Sequence, residues 1–538
     1  MTPFNDARIR HANSHSENRT GSYVLYWSQM YRRLRANHAL DYALHWATRL
    51  KKPLVVYEGL KLNYPWASAR FHQFILEGMR DNVADAKKLG AHYWPFVETP
   101  GNAGRGLVRK LCDQACLLVT DDYPQFIIPA QIRAVAEGVT IAVHAVDGNG
   151  IVPLSLLGPP TKAAAHLRPK IHKLFTEAWE NRTNLEPDFS TATKTKINPP
   201  FDVWHLPKDI GEFVKSLPID QNVPAIPNLE GGRVTGLQLI ADFVETKLPR
   251  YGDHRSQPDD PVRNAASGLS AHLHYGHISI QDVCDAVFAS VKNWTTAQIN
   301  LKTRNKDDFF CRDANVNSFL DEAITWRDVG FQWHFTKAVE KTASGPKSWQ
   351  DSPDDTPSYN FASCDFSPIT KAGTLPAVLP EWAWESLKKH TTDSRAYTHT
   401  LEEFEAAKTH DPLWNSAQHE LIATGRIHNY LRMLWGKKVL EWSATPEDAY
   451  RVLEHLNNKY AIDGRDPNSY TGIFWCFGLF DRPWPPERKI FGSIRYMTSD
   501  STAKKFKLQG YYDYVRRLPR IADVRGGQVT AIKRDGLF

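Results

Sequence analysis

A chain of 538 residues exceeds what one hydrophobic core ordinarily holds, so two or more domains are expected. Its 42% hydrophobic and 23% charged residues exclude a disordered or fibrous protein, and 12% aromatic residues, 17 of them Trp, suggest flat ligands or stacked bases beyond ordinary packing. The formal charge of +6 is unevenly placed: Arg488 to Phe538 carries 12 Lys/Arg against 4 Asp/Glu, a hint of polyanion binding that a solvated face would also produce.

Taken in chain order, Met1 to Ser22 is polar, which excludes a signal peptide or membrane anchor and points to an intracellular, cytoplasmic protein. Residues 1–21 read as a polar tail. Strand-like runs then alternate with helical periodicity: strand at Tyr23–Trp27, helix at Asn37–Lys51, strand at Pro53–Tyr57, helix at Ala69–Leu89, strand at His92–Val97. Helix Gly104–Ala115, strand Leu117–Thr120, helix Ala130–Glu137 and strand Thr140–Val146 continue the pattern. Such alternation predicts an α/β domain over 22–150, a mostly parallel, Rossmann-like sheet covered on both faces. No glycine-rich dinucleotide fingerprint follows the first strand. Residues 151–236, punctuated by Gly158-Pro159-Pro160 and Pro199-Pro200, read as an irregular linker. From 237 to 538 an all-α domain is expected, with helices at Leu237–Leu248, His277–Ser290, Val316–Trp326, Leu401–Lys408, Ala417–Trp442 and Pro446–Asn458, interrupted by a Ser/Pro-rich insertion over 343–380. The six cysteines are scattered without metal-ligand spacing and read as reduced thiols, with no metal site.

Several constellations carry chemistry. Trp435 and Trp442 are seven residues apart, nearly two helical turns, and so share a face with Cα atoms about 10 Å apart. Trp414 precedes that helix closely enough to fold against it; the three rings are either core aromatics or a chain of redox-active rings leading to a cofactor. Glu322 and Trp326, at i and i+4, put a carboxyl beside an indole, an environment that raises a carboxyl pKa and lets it donate a proton near neutrality. The turn-rich run Tyr460–Tyr470, leading to Trp475, has the composition of a ligand-shaping loop, or of an exposed turn. Ser267–Gly276 offers hydroxyls and amides ahead of a helix, suited to a phosphate.

Together, Asp411–Trp414, Arg432-Met433-Leu434-Trp435, Leu440-Glu441-Trp442 and Leu456–Pro467 resemble, in order and spacing, the class II members of the photolyase/cryptochrome family, which repair cyclobutane pyrimidine dimers. Ser267–Gly276, Gly492–Met497 and, more loosely, the sheet domain from Val24 extend the resemblance over most of the chain. The resemblance implies a helical domain holding FAD. Tyr251, Ser267, Gly268, Leu269 and Ser270 would hold its phosphates and neighbouring groups, Asn429, Arg432, Asp463 and Asp466 would face the flavin, and Asn457 would lie near N5. Trp414, Trp435 and Trp442 match the family's electron-transfer tryptophans, which relay electrons from the surface. Trp326 and Trp475 match indoles that bracket the lesion. Glu322 matches the acid that hydrogen-bonds it, and Arg255 and Met433 match substrate contacts. The implied partner is DNA containing pyrimidine dimers, bound by a monomer with no membrane and no protein partner, and a second antenna chromophore of unassigned identity fits the family.

Two departures stand out: Arg327–His334 lacks the more polar continuation usual in class II members, and the 343–380 stretch exceeds the family pattern. The alternative function is a cryptochrome-like blue-light photoreceptor without repair activity, against which Glu322, Trp326 and Trp475 argue. Repair of the (6-4) photoproduct would need an active-site histidine pair. His272 and His274 read as structural instead.

Overall fold

Short apolar runs whose alternate residues point to opposite faces build a six-stranded sheet. In the computed structural model, which describes residues 3–190, 195–258, 264–303, 305–343 and 374–525, the strands are β1 (Ile9–His11), β2 (Tyr23–Ser28), β3 (Leu54–Leu60), β4 (His92–Val97), β5 (Ala115–Asp121) and β6 (Val143–Val146). Their spatial order is β1-β6-β5-β2-β3-β4. Pairings are parallel except that β1 runs antiparallel to β6, Ile9 opposite Val146. Tyr23, Leu25 and Trp27 pack on Leu107 and Leu111 of α3 (Leu107–Cys112) and Val135 of α4 (Ile128–Ala136). Val24 and Tyr26 face the other way, onto Leu40 and Ala43 of α1 (His38–Leu50). The long helix α2 (Ala69–Leu89) lies beside β4.

Strand β1 corrects the reading of residues 1–21 as a tail. Three residues are too few for a period-2 signal, and the strand is held by a tertiary contact, the Arg10 guanidinium forked onto Asp122 at 2.9 and 2.7 Å. The linker reading also needs correction, because α5 (Ala164–Glu180) runs through it with Pro169 inside. Proline removes a helical donor, and here that breaker masked a helix whose apolar face joins the main core.

The helical part comprises α6 (Arg233–Asp242), α7 (Ser270–His274), α8 (Ile280–Ala289), α9 (Ala314–Leu320), α10 (Arg327–Ala343), α11 (Pro412–Thr424), α12 (Asn429–Trp442), α13 (Pro446–Tyr460) and α14 (Pro467–Cys476), among others. The single helix expected over Ala417–Trp442 is two. Gly425 takes the left-handed conformation (φ 69°) that ends α11, in a position where a Cβ would come within 2.5 Å of Ile226. Between α9 and α10, Asp321–Trp326 forms a π-helical turn, a widened geometry that often marks functional sites. Of the 343–380 insertion, residues 344–373 lie outside the described residues, as do 526–538 of the basic C-terminal segment.

One hydrophobic cluster runs without a break from the sheet through α8 to Phe331 on α10, so the core does not divide at residue 236. Two arginines fasten the sheet side to the helices. Arg33 donates to the Gly276 carbonyl at 3.0 Å. Arg70 on α2, 2% exposed, donates to the carbonyls of Tyr460 (2.6 Å) and Ile422 (2.7 Å), capping the C-terminal ends of α13 and α11 at once. The elements that carry Asn457 and Trp414 are thereby set relative to the sheet.

Candidate active site

The helices enclose a cavity of about 1840 Å³. Ligand pockets ordinarily measure roughly 300–1,000 Å³, so this one has room for more than one flat molecule. All the candidate residues named above line it except Trp414 and Trp442.

Its polar floor is built by three helices. Arg432 on α12 donates to Asn457 Oδ1 on α13, to Ser469 Oγ at 3.3 Å, and reaches Asp463 Oδ1 at 3.4 Å. Asn457 Nδ2 in turn donates to Ser469 Oγ (2.8 Å) and Asn458 Oδ1 (3.1 Å), which fixes the orientation of its amide. Burial pushes the Asp463 carboxyl up, but Arg432, the Ser270 hydroxyl, His274 and Arg426 outweigh it and hold it below the ordinary value. Asp466 differs: it caps α14 by accepting from Ser469 N at 2.6 Å, while burial and the nearby Asp463 push its carboxyl up to about 7. Asn429 is exposed at the start of α12.

At one side of the cavity lies Ser267–Ser270. Gly268 has φ 74° and presents bare backbone, with Arg426 Nη1 3.2 Å from where a Cβ would stand. Leu269 is buried, and Ser267 Oγ accepts from its N–H at 3.4 Å. The helix that follows has five residues, so hydroxyls and cations, not a helix terminus, give this region its chemistry. Sequence reasoning missed those cations: Lys247, Arg250 and Arg426 line the cavity. The buried Nε atoms of Arg250 and Arg426 have no hydrogen-bond acceptor among the described residues. Cations lining a cavity suit an anionic ligand such as a diphosphate. Only the Gly425-Arg426 helix break could have signalled Arg426; nothing local distinguishes the other two.

Another part of the lining is aromatic. Trp326 and Trp475 stack at 5.7 Å between centroids and 18° between planes. Rings at that separation and angle are in direct contact. They form one continuous wall. Beside it, Glu322 pairs with Arg255 at 2.8 Å, and the Arg255 guanidinium lies over the Tyr251 ring at 5.6 Å. Burial raises the Glu322 carboxyl and Asp321 adds to that, with Arg255 and Lys306 opposing. Because Glu322 and Trp326 sit on the π turn, they do not share a simple α-helical face. The turn is anchored from α5, whose Arg168 forks onto Asp321 at 2.7 and 3.0 Å. Met433 stands at the cavity, 37% exposed.

Behind the floor runs the tryptophan chain. Trp435 lines the cavity and donates to Gln418 Oε1 at 2.9 Å. Trp414 stacks on it at 6.3 Å and 7°, and donates to the Trp435 carbonyl at 3.0 Å. Trp442 meets Trp414 at 6.1 Å and 67°. Trp442 is only 3% exposed: His410 (4.7 Å) covers it, and Tyr397, 50% exposed, stacks on His410. Desolvation by burial holds His272 at about 4 and His274 at about 3, so both rings are neutral at ordinary pH, in keeping with the structural reading. The segment Val329–His334 is buried: Val329, Gly330 and Phe331 line the cavity, while Gln332 turns away and donates to the carbonyls of Leu157 and Gly158.

A parallel sheet leading into helices that enclose one deep polar and aromatic cavity defines the photolyase/cryptochrome fold. Solved structures share it: an archaeal photolyase from Sulfolobus tokodaii with two FAD molecules (TM-score 0.58, 15% identity, 94% of this chain and 92% of that one) and a Synechocystis cryptochrome (TM-score 0.57, 13% identity, 94% and 91%). Sequence relatives narrow the class. The chain is 32% identical over 524 residues to a deoxyribodipyrimidine photo-lyase of Methanothermobacter thermautotrophicus, covering 95% of this chain and 98% of that protein. A rice protein of the same name is 30% identical over 516 residues, 93% and 88% of the two chains. No family model matches. The chain belongs to the deoxyribodipyrimidine photo-lyase family.

Proposed function

We propose that this protein is a light-driven, FAD-dependent DNA-repair lyase of the class II type, acting on cyclobutane pyrimidine dimers. The observation that carries the reading is one cavity that combines three lining cations, a polar floor with a tryptophan chain behind it, and an aromatic wall with an acid beside it. The residues fit FAD: Arg426, Arg250 and Lys247 with Ser267–Ser270 suit its diphosphate, and Asn457, Arg432 and Asp463 suit the edge of its ring system. When bound and fully reduced, FAD supplies on blue-light excitation the electron that opens the cyclobutane ring, and that electron returns, so no net redox change occurs.

The chain's own residues do the rest. Trp435, Trp414 and Trp442 pass electrons inward to maintain the reduced form. The Trp326–Trp475 wall receives the flipped dimer, and base–aromatic stacking, worth roughly 1–3 kcal/mol per base, offsets the few kcal/mol of unstacking. Glu322, oriented by Arg255, hydrogen-bonds the lesion, and Met433 contacts it from the cavity mouth. Basic residues around the mouth hold phosphates in a salt-dependent way. The sheet part has the place for an antenna chromophore in this family. No helix among the described residues is long and apolar enough to cross a membrane. The protein acts as a DNA-associated intracellular monomer.

The test is photoreduced protein with a dimer-containing oligonucleotide under blue light, against a dark control. Light-dependent recovery of pyrimidine absorbance is expected. Normal photoreduction of a bound flavin with no recovery would overturn the repair reading in favour of a photoreceptor.

A further inference from the structure

Lys437 is a lysine buried to 3% exposure on α12, two residues beyond Trp435. Its Nζ donates to the Cys476 carbonyl at 2.8 Å and the Trp475 carbonyl at 3.3 Å, the last two residues of α14. Those carbonyls belong to a helix C-terminus, where intrahelical donors run out and a cation is favoured. The neighbouring Lys438, by contrast, turns to Glu441 at 2.7 Å, an ordinary ion pair within one helix. Close approach makes the Lys437 contact reachable: a Cβ on Gly436 would fall 2.4 Å from Cys476 Sγ, so α12 and α14 nearly touch there.

Trp475, whose backbone is held in this way, is itself one half of the aromatic wall. Its ring lies against Trp326 at 5.7 Å and meets Phe480 edge-on at 5.9 Å. We propose that Lys437 is a positioning residue for the substrate: its ammonium fixes the end of α14 and so holds Trp475 in register with Trp326, coupling the helix that carries Trp435 to the wall that receives the dimer. The proposal rests on the repair reading above.

The charge on Lys437 responds to pH within reach of ordinary buffers. Burial lowers its pKa to about 8, with Arg495 acting in the same direction and Cys476 and Asp481 opposing. The Cys476 thiol is itself pushed up by burial, with Lys437 and Arg432 opposing. Below pH 8 the helix end faces a cation; above it, a neutral amine that still donates but attracts the carbonyls less.

The experiment compares holoprotein of wild type, Lys437→Met and Lys437→Arg in the dark, measuring binding of a fluorescent dimer-containing oligonucleotide and its undamaged counterpart from pH 6.5 to 9.5, with flavin absorbance and photoreduction recorded alongside. At pH 7, K437M should bind the dimer about 10-fold more weakly, the loss of one base's stacking, with undamaged-DNA binding, flavin spectrum and photoreduction unchanged. K437R, which keeps the charge and the donors, should recover most of the affinity and abolish the weakening that wild type shows above pH 8. Dimer affinity in K437M equal to wild type would overturn the proposal, and so would a K437R protein that keeps the wild-type pH edge. A wild-type protein with no preference for the dimer would overturn the repair reading instead, and that result is separable because it appears before any variant is made.

Discussion

Asp463→Asn tests whether the polar floor of the cavity works as a charge-balanced unit. Asp463 faces Arg432 at 3.4 Å and Arg426 more distantly, its side chain 18% exposed and that of Arg432 30% exposed. Removing one member of a fully buried pair costs about 3–5 kcal/mol, because the partner charge is left uncompensated; partial exposure here reduces that to roughly 2–4 kcal/mol. Expressed as FAD affinity, that is roughly 30- to 1,000-fold. The assay is quenching of flavin fluorescence on rebinding to deflavinated protein. The double variant with Arg432→Gln should be less impaired than the sum of the single variants, since it removes the orphaned guanidinium. The pH sign also follows. The folded-state pKa of Asp463 lies below its unfolded value of 3.8, so its contribution is present above pH 3.8 and lost as pH falls through the depressed pKa. Wild type and D463N should converge in acid and differ fully at neutrality. Unchanged FAD affinity in D463N, or strictly additive effects in the double variant, would refute the charge-balance argument.

Trp414→Phe removes the ring between Trp435 and Trp442 together with its hydrogen bond to the Trp435 carbonyl, worth about 1 kcal/mol. Flavin photoreduction by an external donor should fall to a small fraction of the wild-type rate while repair by chemically reduced enzyme persists; equal photoreduction rates would remove Trp414 from the relay. Trp326→Ala should weaken dimer binding by about 10- to 100-fold, read by fluorescence titration, with little change for undamaged DNA. Burial raises the Glu322 carboxyl, so it keeps its proton to higher pH than a free glutamate. Repair by wild type should therefore decline as pH rises through that titration, while Glu322→Gln shows lower but pH-flat repair; a parallel decline in E322Q would assign the titration to another group.

Strands β2 to β6 and α2 were legible because their residues repeat with the period of the element, and α2 begins and ends where its pattern does, at Ala69 and Leu89. The α5 helix was not, since Pro169 interrupts the local signal while the stabilising contacts of Ile171, Phe175 and Trp179 are all tertiary. The division of α11 from α12 turned on a single φ at Gly425. The cavity residues were reached through the family resemblance, while the direct stacking of Trp326 on Trp475 is visible only in the structure. The packing of Trp442 beneath His410 is likewise tertiary.

The amino-acid order alone showed strands β2 to β6 and most of the helices, because periodicity is a local property, and the family resemblance pointed to the side chains suited to a flavin and a damaged base. Only the tertiary structure decided that Arg70 caps two helices far apart in sequence, that Arg168 anchors the Glu322 turn, and that Arg426, Arg250 and Lys247 line one cavity with Trp326 and Trp475. These are contacts between residues tens to hundreds of positions apart, and no local pattern encodes them: they exist because the buried donors and acceptors of a packed chain must find partners wherever the fold brings them.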